Sequence, residues 1–176
     1  MAEPCRALIV TGVAGSGKST VGRLLAERTG WTFRDADDYH SPENVEKMRA
    51  GIPLTDEDRM PWLDALRREV VAPSLERGDP VILACSALKA AYLKVLGAGD
   101  PRVRVVHLTA DLRLIRERVE RRTGHFMPAE LLESQVAALE VPRDALVVDV
   151  ADPPERVVDR IMASLAELRI PVQRSP

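Results

Sequence analysis

Residues Gly12 to Ser19 read Gly-Val-Ala-Gly-Ser-Gly-Lys-Ser, directly after the apolar run Ala7-Leu8-Ile9-Val10 and directly before a stretch with helical periodicity. Strand, G-x-x-x-x-G-K-S and helix in that order confine the chain to folds that set a glycine loop at the end of a buried strand. Glycine permits the backbone to turn so that consecutive N–H groups face one anion, and the helix that follows adds its positive dipole end. Lys18 is long enough to reach the β- and γ-phosphates of a bound nucleotide, and the Ser19 hydroxyl is suited to ligate Mg2+. Nucleoside triphosphate binding is therefore expected at Gly12, Val13, Ala14, Gly15, Ser16, Gly17, Lys18 and Ser19.

The rest of the chain alternates strands and helices. Val21, Leu24 and Leu25 place an apolar stripe on a helix over Ser19–Thr29, and Gly30 is suited to end it. Trp31-Thr32-Phe33 reads as a second strand, followed by the acids Asp35, Asp37 and Asp38. Helices are expected over Pro42–Ala50 and Asp56–Glu76, with a kink or a late start at Pro61. Pro80–Ala84, Val103–Leu108 and Leu146–Val148 read as further strands. Helices are predicted from about Ala87, over Asp111–Arg122 and over Pro154–Leu168. Five strands with helical crossovers predict an α/β fold with a doubly wound, five-stranded parallel sheet, in which ligands gather at the carboxyl ends of the strands.

Composition narrows the function classes. The chain has 176 residues, 45% of them hydrophobic, a size suited to one domain over 1–176 with a single sizeable core. A net charge of −2 argues against a polyanion as principal partner, so no nucleic acid is expected. No apolar run approaches the roughly 20 residues of a membrane span, and the amino terminus lacks a signal-peptide pattern. A soluble, intracellular protein without a membrane partner is expected. Cys5 and Cys85 are the two cysteines and read as reduced thiols. His107 sits in a valine-rich strand and reads as a core histidine, whereas His40 and His125 fall in polar stretches.

Among phosphate-loop proteins, a GTPase is disfavoured because no Asn-Lys-x-Asp occurs. The strand Val81–Ala84 runs into Cys85 and Ser86, where many ATPases carry a metal-binding acid, and Asp149 after the last strand comes late in the chain. Asp35 and Asp37 fill that place. Two apart in an extended chain, they project from one face, one to hold a metal's water shell and one to orient and deprotonate an acceptor hydroxyl. Arg118, Arg121 and Arg122 share a helix face from which to stabilise a transferring phosphoryl group, and Gly124 is placed to hinge a lid.

These features join into a longer pattern. It comprises Gly12–Thr20, Asp35-Ala36-Asp37-Asp38-Tyr39-His40, Lys47-Met48, Gly51-Ile52-Pro53-Leu54 and Asp58-Arg59-Met60-Pro61-Trp62. It continues with Ala84-Cys85-Ser86-Ala87-Leu88-Lys89, Gly124-His125-Phe126-Met127-Pro128, Ser134-Gln135 and Leu139-Glu140. From near residue 8 to about residue 165 the chain resembles the small phosphate-loop gluconate kinases, relatives of shikimate kinase. The resemblance implies a fold like that of nucleoside monophosphate kinases, with a helical substrate-binding segment over 38–78 and a lid over 118–138. It implies ATP- and Mg2+-dependent phosphorylation of D-gluconate on its 6-hydroxyl in the cytoplasm, by a homodimer. On that basis Ser19 and Asp35 serve the metal, Asp37 the acceptor hydroxyl, and Lys18 and Arg122 the transferred group. Thr20 and Arg118 join the nucleotide contacts, Arg118 at the adenine. A carboxylate and a row of hydroxyls call for a cation and several hydrogen-bond partners, and His40, Arg59, Lys89, His125 and Gln135 are the candidates. Arg121 stands where the family admits lysine or alanine, so the lid's role falls on Arg122. The competing readings are a related kinase for shikimate or a nucleotide, and a nucleotide-binding regulatory module without transfer activity.

Overall fold

Ala7–Thr11 is small or apolar except at its end and forms β1, buried along its whole length at the centre of the sheet. The computed structural model describes residues 3–122, 128 and 131–167. β2 is Thr32–Asp35, β3 Val81–Ala84, β4 Val103–Thr109 and β5 Leu146–Asp149. All pairings are parallel, in the order β2-β3-β1-β4-β5. The chain leaves β1 toward one edge, returns through β3 and then builds the other edge. The reversal of direction opens a crevice beside the carboxyl end of β1, where such sheets bind ligands.

The period of two along β1 builds two cores. Leu8 and Val10 face Val21 and Leu25 of α1 (Lys18–Thr29) and Val157 and Ile161 of α8 (Pro154–Glu167). Ala7 and Ile9 face the opposite layer, with Leu63 and Leu66 of α3 (Asp56–Leu66) and Tyr92 and Leu93 of α5 (Ala90–Val95). Gly30 ends α1 in the left-handed conformation, φ 75°, its N–H bonded to Ala26 O, as the sequence predicts. The second strand begins one residue later than expected: Trp31, 4% exposed, packs into the α1/α8 layer, and pairing with β3 starts at Thr32.

The helical segment after β2 departs further from expectation. α2 (Pro42–Arg49) is capped by Ser41, whose hydroxyl accepts from Asn44 N. α3 does not wait for Pro61. Thr55 and Asp58 form a reciprocal capping box that satisfies two of the first N–H groups, and this fixes the start at Asp56. The irregularity falls instead at Arg67–Val71, a π-helical turn closed by Ala72 N–H on Arg67 O, before α4 (Ala72–Arg77). Pro73 explains its position. Proline has no N–H to return to Glu69 and its ring crowds that carbonyl, and a widened turn relieves the clash. α5 also starts later than expected, at Ala90, because Cys85–Leu88 stays extended past β3 and Lys89 is the cap. α6 (Leu112–Glu120) starts one residue after Asp111, which caps it through Arg113 N, and α7 is Leu131–Ala138. Among the described residues no helix is long and apolar enough to cross a membrane.

Leu63 has no exposed surface and anchors α3 on the sheet. Leu63→Ala is expected to cost about 2–5 kcal/mol of folding stability, read as a lower denaturant midpoint at unchanged slope.

Candidate active site

The loop between β1 and α1 is built for an anion. Gly17 caps α1 with φ 89°, no side chain caps this helix end, and a Cβ at Gly17 would meet nothing within 4 Å. The first N–H groups of α1 therefore open onto clear space. Gly15 is needed for the opposite reason. With φ +79°, a Cβ there would lie 2.7 Å from Val119 Cγ2 and 2.9 Å from Ile115 O, so α6 presses directly on the loop. Ser16 lines the cavity over this loop, and its Oγ is fully buried with no hydrogen-bond partner among the described residues. Lys18 Nζ lies back on Val13 O at 3.0 Å. Burial lowers the lysine's pKa, Asp37 opposes that, and the neighbouring Arg122 lowers it again.

Asp35 and Asp37 are separated in duty by a turn rather than paired on one face. The chain leaves β2 at Asp35 and enters a 3-10 turn over Ala36–Tyr39, so strand alternation no longer governs Asp37. Asp35 Oδ2 accepts from Ser19 Oγ at 2.5 Å, and Oδ1 accepts from Asp37 N at 3.1 Å as the cap of that turn. The turn then carries Asp37 into a second cavity.

Two cavities flank the loop. One, of about 370 Å³, is lined by Gly15, Ser16, Gly17, Thr20, Arg118 and Arg122, and closed by Val150, Asp152, Pro154 and Val157. Arg118 is fixed there, donating to Val150 O at 2.8 Å. Arg121 only caps the end of α6. The contribution of the segment after β5 was not expected from the sequence. Asp149 has a structural partner: its carboxylate caps the turn by accepting from Ala151 N at 2.7 Å.

The other cavity brings together Asp37, His40, Arg59 and Gln135, with Met48, Leu54, Trp62, Ser86, Leu88, Leu131 and Ser134. Trp62 is 5% exposed, part of the core, and also lines this site. Its indole donates to Ala36 O at 2.7 Å and its ring stacks on His40, 4.2 Å between centroids and 14° between planes. Arg59 donates to Leu54 O. Gln135, reached from α7, accepts from Ala14 N at 2.8 Å, so one amide touches both the phosphate loop and the second cavity. Met48, Leu54 and Leu131 form a separate buried apolar cluster in the lining of this cavity.

One expected member lies elsewhere. Lys89 does not line the cavity, because its Nζ is held by Asp56 at 2.9 and 3.2 Å. His125 and Gly124 lie outside the described residues. His107 is core as expected, 1% exposed, with neither ring nitrogen hydrogen-bonded among the described residues. Burial and the nearby Lys18 keep its pKa low.

A glycine loop on an uncapped helix, with lysine and serine at its end, an acid from the neighbouring strand and guanidinium groups over the loop, defines a phosphate-loop kinase. The family described as AAA domain matches residues 8–136. The chain is 48% identical to a gluconokinase of Gluconobacter oxydans (strain 621H), over 79% of this chain and 78% of that one. A solved gluconokinase from Sinorhizobium meliloti 1021 is 42% identical with a TM-score of 0.81, covering 94% of this chain and 95% of that one. A solved sugar kinase from Janibacter sp. HTCC2649 is 44% identical with a TM-score of 0.85, covering 98% and 100%. The chain belongs to the gluconokinase family.

Gly15→Ala is expected to abolish ATP binding in calorimetric titration, because the added methyl forces the loop away from Val119 and Ile115. Burial depresses the pKa of His40 from 6.5 to about 4, with Asp37 opposing and Arg59 reinforcing. The unfolded chain then takes up a proton on acidification through this window that the fold refuses, so stability present above pH 6.5 is lost toward pH 4. His40→Asn is expected to flatten the fall in Tm between pH 7 and 5 in part, since His107 acts in the same direction.

Proposed function

We propose that the protein transfers the γ-phosphoryl group of ATP to the 6-hydroxyl of D-gluconate, giving 6-phospho-D-gluconate and ADP. The observation that carries this reading is a pair of cavities tied to one phosphate loop: Gly15, Ser16, Gly17, Arg118 and Arg122 line one, and Asp37, Arg59 and Gln135 line the other, with Gln135 accepting from Ala14 N of the loop. ATP fits the larger cavity by its chemistry: uncapped helix N–H groups, the unpartnered Ser16 hydroxyl and Lys18 all suit polyphosphate.

Asp37 accepts the proton of the acceptor hydroxyl and aims the oxygen at the phosphorus. Lys18 exchanges the Val13 carbonyl for phosphate oxygens, and Arg122 screens the charge on the group in flight. Arg59 pairs with the gluconate carboxylate, and His40 and Gln135 serve its hydroxyls. Lys89 is assigned to support Arg59 from outside the pocket. Ser19 and Asp35 would hold Mg2+: they are hard oxygen donors 2.5 Å apart, and one carboxylate beside phosphate suits an ion that keeps most of its waters. Among the described residues no cluster of three acid, histidine or cysteine side chains offers an all-protein metal cage. When bound, Mg2+ supplies charge neutralisation at the β- and γ-oxygens. A homodimeric state and a cytoplasmic setting complete the proposal, the first measurable by light scattering.

The test is ADP formation with ATP and Mg2+, comparing D-gluconate, shikimate, AMP, gluconolactone and no acceptor. Turnover is expected with gluconate alone. Equal turnover without acceptor, or preference for shikimate or AMP, would refute the substrate assignment. Asp37→Asn is expected to lower kcat by roughly 10²-fold or more while ATP titrates the variant as it does the parent.

A further inference from the structure

Arg59 is the cation of the second cavity, and its surroundings keep it unpaired in a way that sequence neighbours alone would not. Asp56 stands three residues before it on α3, the spacing at which a helical acid and base pair by default. That pairing is diverted. Asp56 instead accepts the Tyr92 hydroxyl and the Lys89 ammonium, the latter at 2.9 and 3.2 Å. Tyr92, 3% exposed on α5, also presents its ring to both cations, with Arg59 Cζ at 5.7 Å and Lys89 Nζ at 5.5 Å from the centroid. Arg59 is thus left with an aromatic face and the Leu54 carbonyl. Among the described residues it has no carboxylate within ion-pair distance, although α3 opens with three acids in its first turn. The third of these acids, Asp58, is likewise engaged, by Lys47 at 2.8 Å.

We propose that Tyr92 and Lys89 are positioning residues that sequester Asp56, so that Arg59 stays open to the carboxylate of the acceptor. The inference rests on the reading of the cavity beside Asp37 as the acceptor site. Neither Tyr92 nor Lys89 lines that cavity. Their effect passes through Asp56: a hydroxyl and an ammonium satisfy its oxygens, and the ring offers Arg59 a surface that does not neutralise it. An acid released from this hold swings onto Arg59 and competes with the substrate, so acceptor affinity depends on α5, a helix that never touches acceptor. Selection of a sugar acid over an uncharged polyol then depends on a contact between α3 and α5.

The test is a kinetic cycle with the full chain, D-gluconate and ATP. Tyr92→Phe combined with Lys89→Met is expected to raise KM for gluconate about tenfold or more, with kcat within threefold and KM for ATP unchanged. Adding Asp56→Asn to that pair is expected to bring KM back to within about threefold of the parent. Asp56→Asn alone is expected to leave gluconate KM near the parent value or below it. A purely structural role for Tyr92 predicts no rescue, because removing Asp56 would not restore lost packing. Unchanged KM in the double variant, or a raised KM that Asp56→Asn does not lower, overturns the inference. Arg59→Ala separates the two levels: if it leaves gluconate KM unchanged, the carboxylate role of Arg59 itself fails. If Arg59→Ala raises KM while the Tyr92 and Lys89 changes do not, only the sequestering role fails.

Discussion

The hydrogen bond from Ser19 to Asp35 joins the first turn of α1 to the end of β2, a strand that β3 separates from β1, which leads into α1. The phosphate loop and Lys18 lead into α1, and Asp37, His40 and Arg59 follow β2. One carboxylate therefore sets the distance between donor and acceptor halves. Asp35 does this twice over, since its second oxygen caps the turn that aims Asp37. A shift of β2 by one residue would turn every side chain of the strand to the other face and dissolve both contacts at once. The pairing of β2 with β3, itself buried beside β1, is what forbids such a shift.

The second constraint is electrostatic. Lys18, Arg122 and the acids Asp35 and Asp37 lie close enough to influence one another, and burial already disfavours the lysine's charge. A polyphosphate entering this region meets a lysine whose own solvation is incomplete, so its attraction is less screened than on a surface. On the acceptor side the logic repeats with different parts. His40 is held neutral by burial against Trp62, so it offers hydrogen bonding without adding a charge beside Arg59.

Much of this was legible in the residues because the strongest signals are local. A glycine loop between an apolar strand and a helix admits few geometries, whereas the division of the one expected core into two layers on either side of β1 appears only in the fold. The helix terminus at Gly30 is likewise written in one residue. What escaped the sequence depends on contacts between distant segments. Pro61 and Pro73 look equally disruptive in a string, yet a capping box neutralises the first and a π turn absorbs the second. Lys89 seemed a substrate ligand from its place after β3, and nothing in the string says that Asp56, 33 residues earlier, holds it. Gln135 was named for the acceptor, while its bond to Ala14 N became visible only once α7 was seen folded over the loop.

Met48, Leu54 and Leu131 form one apolar stretch in the wall of the acceptor cavity. Such a wall gives a polyhydroxylated acid nothing to hydrogen-bond, so a hydroxyl turned toward it would give up water without replacement. The polar partners stand elsewhere in the lining, at Asp37, His40, Arg59 and Gln135. A sugar acid seated here would therefore be ordered by what one wall refuses as much as by what the other residues offer.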